Sequence, residues 1–327
     1  MSDFPHLSSA PRRVRIEQIT WQTADVISLR LRGLDGSLPG WQAGAHIDIH
    51  LPDGPVRAYS LCGVPDPGPD HYEIAVKREA QSRGGSQAVH DRLRVGMELT
   101  IGAPRNLFGL ADSAPHHLLL AGGIGLTPLV AMAHALHARG DAFTLAVFAR
   151  SAEAVALRTV LVNSPWQARV QMHLDDAPSR RTVDSLVAEA PDGSHVYFCG
   201  PAGFMQRARE AAAHWPAERV HAEYFAAPPA APAAAQASPA AGGFEVRLAR
   251  RRIQLTVAAD QSIAQVLMAA GVAVDTVCEQ GICGSCVTPY LEGDIDHQDL
   301  CLSPQERGSH LALCCSRAGA GGVTLDL

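Results

Sequence analysis

Residues 278 to 286 read CEQGICGSC: three cysteines in nine positions, with glycines beside them, and a further cysteine 28 residues after Cys286, at Cys314. Zinc ribbons use paired C-x2-C hooks, and this segment carries a single hook. A thioredoxin-type site needs C-x-x-C at the opening of a helix and has no use for Cys278 or Cys314. C-x4-C-x2-C with a distant fourth cysteine is the spacing of plant-type [2Fe–2S] centres. Four thiolates must then converge on two irons, with backbone N–H groups facing the sulfurs. Small residues such as Gly281, Gly284 and Ser285 let the main chain come that close.

Cys278, Cys283 and Cys286 are thus expected ligands, and the fourth is Cys314 or its neighbour Cys315, which spacing alone leaves open. Cys301 reads as an ordinary packed or exposed thiol, and Cys62 and Cys199 lie far upstream of the cluster segment. A disulfide framework is not expected, because the first residues, MSDFPHLSSAPRR, lack the apolar core of an export signal and a cytoplasmic chain keeps its thiols reduced.

The chain has 327 residues, 47% of them hydrophobic and 18% charged, enough for two or three globular domains. A net charge of −6 offers no basic excess to neutralise phosphates, so nucleic acid is not an expected partner. The longest apolar run, Leu118 to Leu136, contains Pro128, Thr127 and three glycines. It reads as buried strand, glycine turn and helix rather than a membrane span.

AAPPAAPAAAQASPAAGG, residues 226 to 243, has no charge and no large apolar group, so it reads as a linker. Fully extended at about 3 Å per residue it would reach roughly 50 Å. Before it, VRIEQITWQ, VISLRLRG, HIDIHLP, RAYSLCG and YEIAVKRE alternate apolar and polar residues between Gly, Pro and Asp turns, the pattern of an antiparallel barrel or sandwich. From His116 the pattern changes to alternating buried strands and helices, which predicts a parallel sheet with crossover helices. After the linker a hairpin and the helix SIAQVLMAAG precede the cysteines. The expected domains are 1–110, 111–226 and 244–327, with the linker over 227–243.

A [2Fe–2S] centre carries one electron, whereas a nicotinamide gives up two as hydride; flavin is the common mediator. Arg57-Ala58-Tyr59-Ser60 ends a predicted strand: the arginine can pair with a phosphate, the tyrosine can lie on a ring system, and the serine can hydrogen-bond. Ala75-Val76-Lys77 ends another strand. Gly84-Gly85-Ser86 opens a helix, whose free N–H groups suit a phosphate. Gly122-Gly123-Ile124-Gly125-Leu126-Thr127-Pro128 links strand to helix with glycines that let a pyrophosphate approach, although it is not the G-x-G-x-x-G fingerprint. Cys199-Gly200-Pro201 ends a later strand, where ligands sit in open α/β sheets.

In this order, RAYSL, GGS, GGIGLTPL, CGP, CEQGICGSC and a late CCSRA resemble the phthalate dioxygenase reductase family, from about Arg12 to Leu327. The resemblance implies three domains: an antiparallel β-barrel of ferredoxin-reductase type for FMN, an α/β nucleotide-binding domain for NADH, and a C-terminal β-grasp ferredoxin domain. It implies that Arg57, Tyr59, Ser60, Val76, Lys77, Gly85 and Ser86 contact FMN. It further implies that Thr127, Cys199, Gly200 and Pro201 face the nicotinamide, that Phe225 lies near the flavin, and that Cys314 is the fourth ligand. The implied function is NADH-dependent reduction of a separate Rieske-type oxygenase by a monomeric cytoplasmic protein in transient complexes. Other readings are a reductase for a P450 or a di-iron oxygenase, and an electron-carrier subunit without real NADH turnover.

Overall fold

The computed structural model describes residues 11–52, 54–81, 84–178, 180–227 and 243–327, with the Ala320 side chain left aside. The body of the expected linker, residues 228–242, lies outside the described residues. The chain divides into two compact units, Met1–Phe225 and Ala226–Leu327.

The first unit opens with β1 (Arg12–Thr23), β2 (Val26–Gly33), β3 (Ala45–His50), β4 (Val56–Ser60), β5 (His71–Lys77), α1 (Gly85–Arg92), β6 (Glu98–Ile101) and β7 (Arg105–Asn106). The alternation read from the sequence sorts the faces. In β1, Val14 and Ile16 are fully buried while Arg13 and Arg15 face solvent and pair with Glu98 across the β1–β6 ladder. The sheet order is β4-β3-β6-β1-β2-β5, with β7 on β3. An isolated bridge between Leu61 and Ile74 links the chain just after β4 to β5. Arg57–Ser60 and Ala75–Lys77 are thereby brought into one neighbourhood.

The parallel sheet follows with β8 (His117–Gly122), α2 (Leu126–Arg139), β9 (Phe143–Ala149), α3 (Arg158–Asn163), β10 (Val170–Leu174), α4 (Val183–Ala188), β11 (His195–Cys199), α5 (Ala202–Ala211) and β12 (Val220–Glu223). Every residue of β8 is buried, as expected for a central parallel strand covered on both faces. The apolar run from Leu118 resolves into β8, a one-turn 3-10 helix at Gly123–Gly125, and α2, which ends at Gly140 in the left-handed region (φ 76°). Among the described residues no helix is long and apolar enough to cross a membrane. The order β10-β9-β8-β11-β12 reverses direction at β8, placing the carboxyl ends of β8 and β11 side by side at the switch point. One apolar core runs through both sheets, from Val14 and Ile49 to Leu129 and Trp166.

The second unit contains β13 (Phe244–Leu248), β14 (Ile253–Val257), α6 (Ile263–Ala269), β15 (Val287–Asp296), β16 (His310–Ala312) and β17 (Arg317–Leu325), in sheet order β14-β13-β17-β15-β16. β13 and β14 form the expected antiparallel hairpin, turning through Arg252 at φ 53°, and β13 runs parallel to β17. A capping box fixes the start of α6: Ser262 accepts from Gln265 N–H, and the Gln265 side chain accepts from Ser262 N–H. Between α6 and β15 lies the cysteine loop.

Candidate functional site

In the cysteine loop the main chain is left-handed at Glu279 (φ 55°), Gly281 (69°) and Gly284 (71°), which curls it tightly enough to aim its amides inward. Gln280 N–H donates to Cys278 Sγ (3.4 Å), Gly281 N–H to Cys314 Sγ (3.3 Å), and the Ser285 hydroxyl lies 3.1 Å from Cys283 Sγ. A side chain at Gly281 would run into Cys315 Sγ at 2.5 Å, so glycine is required there by space as well as by φ.

Cys278 touches Cys283 and Cys314, and Cys286 touches Cys314, so the sulfurs form a chain Cys283–Cys278–Cys314–Cys286. The Cys314 thiol is driven well down by donation from Cys278, Cys286 and Cys315 and by the Gly281 amide. Cys283 is lowered to about 6, chiefly by Cys278. Among the described residues no three His, Cys, Asp or Glu side chains gather as a single-ion site demands. A chain of sulfurs with thiolate character and inward N–H donors suits a two-iron cluster, which Cys278, Cys283, Cys286 and Cys314 would hold. Of the adjacent pair, Cys314 meets Cys278 and Cys286, whereas Cys315 has its sulfur against Cys314 and Gly281 and 3.9 Å from Ala312 O.

In the first unit Arg57 lies with its stem on Gly85: a Cβ added there would meet Arg57 Cγ at 2.6 Å. The guanidinium is therefore held beside the start of α1, whose N-cap, Gly84, is left-handed at φ 86°. A cation beside a helix N-terminus is an arrangement that suits an anion. The Ser86 hydroxyl accepts from Glu79 N–H (3.1 Å), and Lys77 Nζ pairs with Glu79 (3.2 Å). His90 Nε2 is 3.0 Å from Val76 O, tying α1 to β5 beside Ala75. Tyr59 is half-buried, and burial pushes its phenol up to about 12. Ala58 alternates with it along β4.

At the switch point the glycines also let two turns pack closely together. A side chain on Gly122 would meet the Phe204 ring at 2.9 Å, and one on Gly200 would meet it at 2.7 Å. One on Gly125 would strike Cys199 O at 2.2 Å. These residues are small because the turn after β8 packs on the turn after β11, where Pro201 also lies. Gly123, at φ +54°, has open space around it instead. Thr127 is buried and its hydroxyl donates to Ile124 O (3.1 Å), so it closes the turn at the start of α2 beside the equally buried Pro128. Cys199 is fully buried, and burial together with the nearby Glu223 carboxyl drives its thiol far up. Phe225, the last residue of the unit, is 42% exposed.

Glu223, at the end of β12, escaped the sequence reading. It accepts a hydrogen bond from the Ser60 hydroxyl (3.1 Å), joining the two sheets, and burial pushes its carboxyl up to about 8. Its motif, HAEYFA, was visible, but nothing in it shows that the carboxyl turns inward.

Residues 246–319 match the family described as 2Fe-2S iron-sulfur cluster binding domain. The whole chain is similar to a vanillate O-demethylase oxidoreductase from Pseudomonas sp. (strain HR199 / DSM 7063), with 43% identity over 93% of this chain and 96% of the relative. Among solved structures it is similar to phthalate dioxygenase reductase, described as a modular structure for electron transfer from pyridine nucleotides to [2Fe-2S]. Identity there is 35%, over 97% of this chain and 98% of that one, with a TM-score of 0.69. It is also similar to an intact type IV self-sufficient cytochrome P450 monooxygenase (37% identity, TM-score 0.88), covering 97% of this chain but 41% of that longer one. Full-length matches of this kind, with the four-sulfur loop inside the matched 2Fe-2S segment, place the chain in the phthalate dioxygenase reductase family.

Proposed function

We propose that this chain is the NADH-dependent reductase component of an oxygenase system, holding FMN in its first unit and a [2Fe–2S] cluster in its second, and serving a separate Rieske-type non-haem iron oxygenase. The four-sulfur loop carries the reading, because a one-electron port is needed only where electron pairs must leave singly. When bound, the flavin accepts a two-electron donor and the cluster passes single electrons on.

The residues divide that work. Arg57, Lys77 and the start of α1 at Gly84–Ser86 hold the phosphate of FMN. Tyr59 offers a ring and Ser60 a hydroxyl, while Ala58, Ala75 and Val76 supply backbone and small surface. The loops at Gly122–Pro128 and Cys199–Pro201 receive the nicotinamide nucleotide, and Phe225 covers the flavin until the nucleotide arrives. Cys278, Cys283, Cys286 and Cys314 ligate the irons. The Leu61–Ile74 bridge supports closure of the first sheet into a barrel, with FMN domain 1–110, NADH domain 111–226, linker 227–243 and a β-grasp ferredoxin domain over 244–327. The protein works as a cytoplasmic monomer that meets its oxygenase transiently.

Anaerobic mixing with NADH tests this: flavin absorbance should bleach and cluster absorbance should follow. Flavin that stays oxidised would leave only a carrier role. The likeness to the self-sufficient P450 favours a second reading, a P450 acceptor. Turnover of a purified P450 but not of a Rieske oxygenase would select it.

A further inference from the structure

Asp299 has a fully buried side chain, although it lies in the polar stretch HQDLC between β15 and β16. A buried carboxylate is stable only if its oxygens are satisfied. Here Oδ1 lies 3.2 Å from His297 Nδ1, and Oδ2 accepts from Leu302 N–H (3.0 Å) and Arg307 Nη2 (3.4 Å). The same Arg307 nitrogen donates to Asp299 O (2.6 Å). Arg307 O is in turn 3.1 Å from His297 Nε2 and accepts from the Tyr290 hydroxyl at 2.9 Å. The network satisfies both carboxylate oxygens and is anchored on β15 through Tyr290, while the buried Arg307 Nε stays without a partner.

It also grips the cysteine loop. Leu300 N–H donates to Gly281 O (2.9 Å), and the Asp299 Cα lies so close that a Cβ on Gly281 would come within 3.0 Å of it. On its other side Gly281 gives its N–H to Cys314 Sγ. An N–H aimed at a cluster sulfur stabilises the charge gained on reduction and raises the potential.

We infer that Asp299 is a positioning residue for the cluster: through Arg307, His297 and the Leu300–Gly281 bond it holds the Gly281 amide on the Cys314 sulfur and so sets the reduction potential. This rests on the reading of the four cysteines as cluster ligands. Two variants of the full-length holoprotein, Asp299→Asn and Arg307→Gln, separate position from charge. Loosening the grip lowers the potential in both. A purely Coulombic influence moves them oppositely, because one variant removes a negative charge and the other a positive charge.

The measurement is an anaerobic spectroelectrochemical titration of the cluster, followed by its visible circular dichroism. Both variants should show a reduced-to-oxidised ratio lower by up to about tenfold at a fixed potential, about 59 mV for one electron, with altered dichroism and unchanged flavin absorption. A rise in Asp299→Asn with a fall in Arg307→Gln, or no change in either, overturns the inference. Should Asp299→Asn hold no cluster, Arg307→Lys reads the same grip with its charge kept, and an unshifted potential there overturns it equally. Iron and acid-labile sulfide missing from the unaltered protein would instead remove the cluster reading itself.

Discussion

Replacing Glu223 with glutamine should flatten the pH dependence of stability in the Met1–Phe225 unit. The carboxyl is pushed from 4.5 to about 8 by burial, against the opposing pull of the Ser60 hydroxyl. A carboxyl whose folded pKa exceeds its unfolded one keeps a proton in the folded state that the unfolded chain has released. Its contribution is therefore fully present below pH 4.5 and is lost as pH rises to about 8. The slope in that window is about 1.4 kcal/mol per pH unit, with a ceiling of about 5 kcal/mol across it. Solvent reaching a half-buried group lowers that ceiling. At about 2–4 °C per kcal/mol for a unit of this size, and about half the ceiling, the Tm of the unaltered protein should fall by about 5–10 °C more than that of Glu223→Gln between pH 5 and pH 8. The amide preserves the acceptor for Ser60 and cannot ionise, so the difference isolates the carboxyl. Thermal unfolding followed by circular dichroism at half-unit steps from pH 5 to 9 gives both curves. Parallel curves would show that water reaches Glu223 freely and would refute the argument.

Cys314→Ser should abolish the visible absorption of the cluster while Cys315→Ser retains it, and the reverse outcome would exchange their roles. Arg57→Ala should weaken FMN retention by roughly tenfold to a hundredfold, the loss of one charge-assisted phosphate contact of about 1.5–3 kcal/mol. Equilibrium dialysis of the purified protein reads this directly, and unchanged retention would move the phosphate elsewhere. Burial lowers His117 to about 4, and the nearby Asp141 only partly offsets it. Its folded pKa lies below the unfolded 6.5, so its stability contribution is present above pH 6.5 and is lost as pH falls toward 4. His117→Phe should then lose less unfolding free energy than the unaltered protein between pH 7 and pH 5, by about 2 kcal/mol, read by urea unfolding at each pH, and an equal loss would place the acid sensitivity at another group.

Much of this protein lies in local sequence. Strand and helix signals between Arg12 and Glu223 follow from period-2 and strand–turn–helix patterns, because burial of one face or both depends on neighbours a few residues away. The cluster segment is legible for a stronger reason: two irons constrain ligand number and spacing within one loop. The switch-point glycines are harder. Gly122 and Gly200 carry a constraint that the motif does not show: two turns separated by most of a domain press together at Phe204. The hydrogen bond by which the Thr127 hydroxyl closes its own helix start is equally invisible in the sequence.

By itself the sequence determined the order of modules and the cluster type, since each depends on residue type at short spacing. The tertiary structure decided which polar groups are taken out of water. Glu223 meets Ser60 across 163 positions of chain, and Asp299 lies against a loop that begins with Cys278. Desolvation belongs to the whole surrounding shell, which folding assembles from distant segments. That is why these two carboxyls look like ordinary surface acids in the sequence, whereas in the protein Asp299 is buried and Glu223 half-buried.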